Sequence, residues 1–314
     1  MSIDKDFIIN DAELVKYTGD AYDIVIPEGV KRINASAFSD YAEIGMISLP
    51  NSLLVDGMFV NSQGKYWRGW FDPVEYVIPG LEGKIVRKIK LPSNLKEIPE
   101  GAAVEIGSRN LASPLEELLL PEGLEKIWSL EKEKFKKIVI PSTVVEINSL
   151  YGIQPLEEVV FLGEKIKFGQ QALSKIPNLK KVVFNGEKTS LSQGMFSGSK
   201  ILEISLPKKL KAIPAHCFQD SELDVIEIPD TVTSIGTNAF GPCKVNRIVL
   251  PKKLKKIGAY AFSECETDVI EIPDTVTEIK EHAFSEHGPY KIVASEKTLQ
   301  LNRDAYENML RKYR

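Results

Sequence analysis

Hydrophobic residues along this chain recur as short alternating pairs, and a proline, or a residue standing in its place, follows each pair. Aligned on that slot, the chain reads Pro27, Pro50, Pro92, Pro121, Pro141, Leu162, Asn185, Pro207, Pro229, Pro251, Pro273 and Ser295. The last four steps are each 22 residues, and the earlier ones are 23, 42, 29, 20, 21, 23 and 22. Three residues before the slot stand Ile24, Ile47, Ile89, Leu118, Ile138, Val159, Val182, Ile204, Ile226, Ile248, Ile270 and Ile292. The residue just before it is almost always Ile, Leu or Phe. Apolar residues two apart predict a short strand with one buried face. The proline has no N–H to donate, so it belongs where ladder pairing stops.

After the slot the pattern continues. Six residues on stand Ile33, Ile98, Ile127, Ile147, Ile213, Ile235, Ile257 and Ile279. Eleven residues on the position is often aromatic: Phe38, Phe196, Phe218, Phe240, Phe262, Phe284 and Tyr306. Each repeat is therefore a strand, a proline turn, an apolar return and an Ala-Phe corner. A unit this small cannot bury its own apolar face, but stacked units share a continuous core. The resulting organisation is a solenoid of about twelve repeats over residues 21–295, with insertions near 54–85 and 99–114 where the register fails.

Leu223, Ile226, Ile228, Pro229, Val232, Ile235 and Phe240 spell Leu-x-x-Ile-x-Ile-Pro-x-x-Val-x-x-Ile-x-x-x-x-Phe. This pattern resembles the leucine-rich repeats of the BspA-like type, over about residues 7–295. The opening segment Phe7 to Gly19 is similar to that family's N-terminal cap hairpin, and Cys243 and Cys265 are similar to the cysteine that often closes its repeat. The resemblance implies an α/β repeat solenoid, a right-handed superhelix with a short-stranded parallel β-sheet on one side. It also implies a binding or adhesion role, since many such proteins sit on bacterial or protist surfaces.

The repeats also invert their charge. LDVIEIPDTVTSIGTNAF at 223–240 and TDVIEIPDTVTEIKEHAF at 267–284 flank VLPKKLKKIGAYAF, where a basic dipeptide replaces Asp-Thr. Four residues before the slot the side chain points outward, and from the third repeat these residues are Lys88, Glu117, Lys137, Glu158, Lys181 and Glu203. Equivalent side chains in a parallel sheet stack about 4.8 Å apart. Opposite charges there attract by roughly 0.2–1 kcal/mol per pair, and like charges repel. A duplicated unit therefore stacks better on a charge-inverted neighbour than on its twin. The striped face either recognises a partner of complementary pattern or is solvated salt-bridge cover.

Two rows before the slot, Leu119, Val139, Val160 and Val183 also face outward on consecutive repeats. Contiguous exposed apolar surface marks contacts, although β-branched residues suit any strand. The insertion VNSQGKYWRGWFDPVEYVIPG carries Tyr66, Trp67, Trp70, Phe71 and Tyr76. Such a loop is either a recognition device, stacking on a peptide or a sugar, or a plug for a degenerate repeat. Leu119, Val139, Val160, Val183 and these five aromatics are the candidate binding residues.

Candidate chemistry is sparse. His216 and His282 occupy one repeat slot three repeats apart, about 14 Å by strand spacing, which is too far for one metal. His287 adds no recognised zinc spacing, and Cys217, Cys243 and Cys265 lack a C-x-x-C. Cys243 and Cys265 lie one repeat apart, near bonding distance if oxidised and buried thiols if not. Phosphate-loop and nucleophile-elbow motifs are missing, so the expectation is a non-enzyme with no cofactor and no metal. The net charge of −4 does not mark a nucleic-acid binder, and no 18-residue apolar run marks membrane insertion.

The partner expected is a protein ligand, with a glycan possible. MSIDKDFIIN lacks the basic and apolar parts of a secretory signal, so the sequence as it stands reads as cytoplasmic. A cell-surface or secreted protein is the alternative if an export signal was removed. The ends complete the reading. Residues 1–20 form an N-terminal cap hairpin. Residues 296–314 form a C-terminal helical cap, with Ala305, Tyr306, Met309 and Leu310 on one face.

Overall fold

A computed structural model describes residues 5–55, 58–59, 75–76, 78, 80–98, 104–105, 111–131, 133–284 and 289–301, with the backbone alone for 54–55, 58–59, 75–76, 104–105 and 299. The chain divides into two compact units, Met1–Glu146 and Ile147–Arg314. Each is a parallel β-solenoid.

In the first unit the ladder strands are Asp23–Val25, Glu43–Ser48, Ile85–Lys90, Leu115–Leu119 and Phe135–Ile140, hydrogen-bonded in that order. Ile24 pairs with Ile47, Ile47 with Ile89, Ile89 with Leu118, and Leu118 with Ile138. All five are buried, so the column expected from the sequence is one wall of the core. The return ladder is shorter, with Glu97–Ile98 parallel to Lys126–Ile127.

The second unit repeats the scheme with strands Glu158–Phe161, Lys181–Phe184, Lys200–Ser205, Glu222–Glu227, Cys243–Val249 and Cys265–Glu266. Val159 pairs with Val182, Val182 with Ile204, and Ile226 with Ile248. Ile204 is half-buried where its column neighbours are buried. The strand Val269–Glu271 carries the column on by pairing with Lys291–Val293. Returns at Ala212–Ile213, Ser234–Ile235, Lys256–Ile257 and Glu278–Ile279 form a second ladder.

The proline slot does what its chemistry requires. The residue before it makes the last ladder bond: Ile228 N–H donates to Val249 O at 3.0 Å, and Leu91 N–H to Leu119 O at 3.0 Å. The proline carbonyl then accepts from the residue three places on, as Val232 N–H to Pro229 O at 2.9 Å, which closes a tight turn. Where Asn185 replaces proline, its N–H does pair, with Phe161 O at 2.9 Å, and the ladder runs one bond further.

At the corner the aromatic rings form a buried stack. Phe196, Phe218, Phe240, Phe262 and Phe284 lie 5.1–5.4 Å apart, centroid to centroid, with planes within 14° of parallel. Offset stacking adds about 0.5–1.5 kcal/mol per pair beyond burial. The chain reaches this corner through left-handed backbone at Gln171, Gly194, His216, Asn238, Tyr260 and His282, nine residues after each slot. Coils approach most closely just before it. A Cβ on Gly258 would lie 2.6 Å from the Gly236 carbonyl carbon, so a side chain there would push the coils apart.

The N-terminal hairpin expected over 1–20 is present as Phe7–Asn10 antiparallel to Glu13–Tyr17. Its two-residue turn, Asp11-Ala12, has φ of 51° and 59°, the mirror-image turn that matches strand twist. Glu13 and Leu14 pair with Arg32 and Ile33, the return of the first coil, which places the hairpin on that coil's open side.

The helical component is smaller than an α/β repeat suggests. Among the described residues the only α-helix is Glu296–Leu299, capped by Ser295, which accepts from Thr298 N–H. The return side consists of short strands and turns, as at Ala212–Ile213 and Ser234–Ile235. Ala305, Tyr306, Met309 and Leu310 of the expected C-terminal cap lie outside the described residues.

The stack makes Phe240→Ala costly. We expect a loss of about 3–5 kcal/mol, the range for deleting a fully buried ring. Urea unfolding followed by circular dichroism measures it, and a loss under 1 kcal/mol would mean the column does not carry the corner.

Candidate functional site

The outward side of the sheet is organised in rows, because equivalent residues of successive coils sit in register. Four before the slot, Glu117 pairs in register with Lys88 and with Lys137, all in the first unit. In the second unit Glu158 pairs with Lys181, and Lys181 with Glu203. Lys88 Nζ lies 3.2 Å from Glu117, and Lys181 Nζ lies 3.5 Å from Glu203. The row then changes character, since Glu203 pairs with Val225 and Val225 with Arg247.

A second charged row runs beside the first and was not singled out from the sequence. Five before the slot stand Arg87, Glu116 and Lys136 in the first unit and Glu157 and Lys180 in the second. Arg87 bonds Glu116 at 2.6 Å and Glu43 at 2.7 Å, and its Nε donates to Tyr22 Oη at 2.6 Å. Arg87 and Tyr22 together hold the Glu43 carboxyl below the usual carboxylate range. Lys180 lies 2.7 Å from Glu157. The row ends at the exposed Leu202, followed by Asp224, which accepts from Asn246 at 2.9 Å. The signal was available: adjacent residues share one sign within a coil, Arg87-Lys88, Glu116-Glu117, Lys136-Lys137.

Two before the slot stand Leu119 and Val139 in the first unit and Val160 and Val183 in the second. Leu119 and Val139 lie one residue beyond the register partners Leu118 and Ile138, and Val160 pairs with Val183. All four are half-buried, with their inward neighbours Leu118, Ile138, Val159 and Val182 buried. Ser205 follows Val183 in register and ends that stretch. Val249 and Val293 of the same row are more exposed, at 37% and 43%, and pair with Glu227 and Glu271.

Tyr66, Trp67, Trp70 and Phe71 lie outside the described residues. Tyr76 lies on the two-residue strand Glu75–Tyr76, whose backbone pairs in parallel with Val104–Glu105. The two insertions therefore meet. Neither carries the repeat pattern, so nothing in the periodicity could announce that pairing.

After the slot the charged residues meet two kinds of partner: Lys209 Nζ lies 2.6 Å from Glu187 of the preceding turn, as charge inversion suggests, and the Asp-Thr dipeptides bond backbone groups. Thr231 Oγ1 donates to Lys208 O at 2.9 Å and Leu210 O at 2.8 Å, both carbonyls of the preceding turn. Asp230 accepts from Lys252 N–H of the following turn at 2.8 Å. Thr275 repeats the contact with Lys252 O and Leu254 O. In the first unit Glu28 accepts from the N–H groups of Asn51 and Ser52, and Ser52 Oγ donates to Val30 O. An acidic-hydroxyl dipeptide thus clasps the turns on either side of it through their backbones.

On the return ladder Glu278 bonds Lys280 at 2.8 Å and Lys256 at 2.9 Å. Those two bonds, Lys280 first, lower its pKa to about 2. His216 Nδ1 bonds Gln219 Oε1 at 2.7 Å, and His282 stacks on Tyr260 at 5.0 Å, while His287 lies outside the described residues. Among the described residues no cluster of three or more His, Cys, Asp or Glu could hold a metal ion. No helix among them is long and apolar enough to cross a membrane. What this surface offers chemically is a pattern of charge and half-exposed aliphatic groups.

Comparison with known proteins follows from this geometry. The family model described as the BspA type leucine rich repeat region matches residues 12–63, 109–224 and 211–312, in six copies. A crystal structure of a leucine-rich repeat protein from Bacteroides ovatus is 21% identical, covers 88% of this chain and 90% of its own, and superposes with a TM-score of 0.51. A leucine rich cell surface protein from Faecalibacterium prausnitzii is 17% identical over 94% of each chain, with a TM-score of 0.32. The pneumococcal vaccine antigen PcpA is 16% identical, with 90% of this chain and 74% of its own covered and a TM-score of 0.36. The first of these shows the fold. No curated protein matches the sequence.

The Glu278 cluster fixes a pH dependence. Its folded pKa is depressed below the unfolded value of about 4.3, so its contribution is complete above that value and disappears as pH falls toward about 2. Between pH 4.5 and 2, roughly, the melting temperature of Glu278→Gln should fall less steeply than that of the parent, and the two curves should converge at the acid end. Thermal melts across that range check it, and a constant offset at every pH would contradict it.

Proposed function

Because this chain belongs to the BspA-type leucine-rich-repeat family, we propose that it is a non-enzymatic binding protein that engages a protein partner through the outward sheet face and the aromatic insertion. The observation carrying this reading is a half-buried aliphatic pair on the outward face of each unit, Leu119 and Val139 in the first and Val160 and Val183 in the second, beside residues of alternating charge. An aliphatic strip supplies area to desolvate, and flanking charges of both signs set register with a partner.

We place the limits of the architecture as hairpin 1–20, right-handed superhelix 21–295 and C-terminal helix 296–314. The caps cover apolar cross-sections that would otherwise join copies end to end. A second reading rests on the insertion. Tyr66, Trp67, Trp70, Phe71 and Tyr76 crowd flat rings into a short segment, which suits the face of a sugar as well as a peptide. That reading is an adhesin-type surface protein binding host protein or glycan.

The paired variant Val160→Asp/Val183→Asp tests the face, and Trp67→Ala/Trp70→Ala tests the insertion. With a partner captured from lysate and titrated by calorimetry, each variant should weaken binding by about tenfold or more, the effect of losing one hot-spot contact. A face variant that binds like the parent removes the sheet from the site. A glycan array that lights up with the parent and goes dark with the Trp variant favours the second reading.

A further inference from the structure

Eight residues before the slot the second unit carries a column: Ser199, Ser221, Cys243 and Cys265. The serines have a plain task. Ser199 Oγ donates to Leu173 O at 2.9 Å, and Ser221 Oγ donates to Phe196 O at 2.7 Å. In the next two coils sulfur replaces oxygen, and the two sulfurs face each other. Cys243 and Cys265 are register partners in the parallel ladder, their Sγ atoms are 3.4 Å apart, and both are buried.

Neighbouring parallel strands bring equivalent Cα atoms to about 4.8 Å, inside the roughly 4.4–6.8 Å range that a disulfide spans. The sulfurs need to close by about 1.4 Å to reach a bond length near 2.05 Å, within the reach of side-chain rotation. The place is also where a crosslink would matter. The strand Cys265–Glu266 holds its neighbour through Cys243↔Cys265 and Lys244↔Glu266, whereas Glu222–Glu227 and Cys243–Val249 are in register from Glu222↔Lys244 to Glu227↔Val249. The Val269–Glu271 part of that coil pairs instead with Lys291–Val293.

We propose that Cys243 and Cys265 form an oxidation site: a peroxide-class oxidant converts the facing thiols into a disulfide that staples two successive coils at the thin end of the sheet. One thiolate attacks a peroxide oxygen, breaking the O–O bond and forming a sulfenic acid with release of hydroxide. The second sulfur then displaces hydroxide from the sulfenic sulfur, forming the S–S bond. Two thiols and one hydrogen peroxide give one disulfide and two waters, the sulfurs losing two electrons and the peroxide gaining them. In the reduced protein the hydrogen bond to Cys265, burial, and the nearby Glu266 and Asp220 push the Cys243 thiol up, so its thiolate is scarce and the reaction with peroxide is slow. Cys217 has no sulfur partner at comparable distance among the described residues and is fully buried, so it serves as an internal control.

The full folded chain, treated with hydrogen peroxide and then with a thiol-blocking reagent, is digested and mapped by mass spectrometry. The expected product is a peptide joining Cys243 to Cys265, an intact mass lower by two hydrogen atoms, and a raised melting temperature that a reductant reverses. Cys217→Ser should retain all three signatures, and Cys265→Ser should lose them. A link through Cys217 would overturn the assignment, as would separate sulfinic or sulfonic acids on Cys243 and Cys265. So would thiols that stay free in the folded chain under conditions that crosslink the urea-unfolded one. The parent and Cys217→Ser arms decide the matter even where Cys265→Ser fails to fold.

Discussion

Register is the constraint on which each unit depends. Successive coils are joined by parallel backbone ladders in which residue n meets its equivalent one coil on, as Ile226 meets Ile248 and Val182 meets Ile204. A one-residue slip would send every inward side chain outward. The turn is what holds the register: where proline fills the slot it ends the strand at the same residue, and its carbonyl closes the same turn. Because that constraint repeats, any property of one residue becomes a property of a row. Core isoleucines become a wall, corner phenylalanines become a stack, and surface charges become alternating stripes.

Repetition creates a problem that the sequence solves twice. Identical coils would stack lysine on lysine and aspartate on aspartate. On the sheet face the solution is electrostatic, with Lys88 against Glu117 and Lys181 against Glu203. Such exposed pairs are individually weak. After the proline the solution is a hydrogen-bond clasp. Thr231 reaches the carbonyls of Lys208 and Leu210, and Asp230 takes the N–H of Lys252. The lysine-bearing turn offers its backbone to that clasp, while Lys209 also pairs with Glu187 of the preceding turn at 2.6 Å. The alternation of Asp-Thr with Lys-Lys thus follows from the division of one coil into a donor of side-chain contacts and the next into a recipient.

The repeating part of the fold was legible because a period turns weak local signals into one strong one. A lone Ile-x-Ile-Pro says little, but twelve in step define the strand, the turn and the inward column. The strand face that carries Leu119 and Val139 in one unit and Val160 and Val183 in the other was legible for the same reason, since outward follows from inward in a strand. The Asp-Thr clasp was not, because sequence shows that charges alternate and not whether a side chain finds a charge or a backbone. The pairing of Glu75–Tyr76 with Val104–Glu105 was not, because two aperiodic insertions carry no register to compare. The small helical content was not, because the periodicity marks the return as apolar without telling a short strand from a helical turn.

The same logic locates where function can reside. Inward positions are fixed by the column they belong to, since a change in one coil is felt by its neighbours above and below. Turn positions are fixed by the clasp. Only the outward rows and the insertions can change without disturbing the stack. Of these, a charge-alternating row is already explained by the need to avoid like-on-like stacking, so its presence says little about a partner. The aliphatic row has no such explanation. Val160 and Val183 are half-buried and β-branched residues suit a strand, but the exposed Ser205, next in register, shows that this row also admits a polar residue. A departure from what stacking requires is the feature to attribute to something outside the chain.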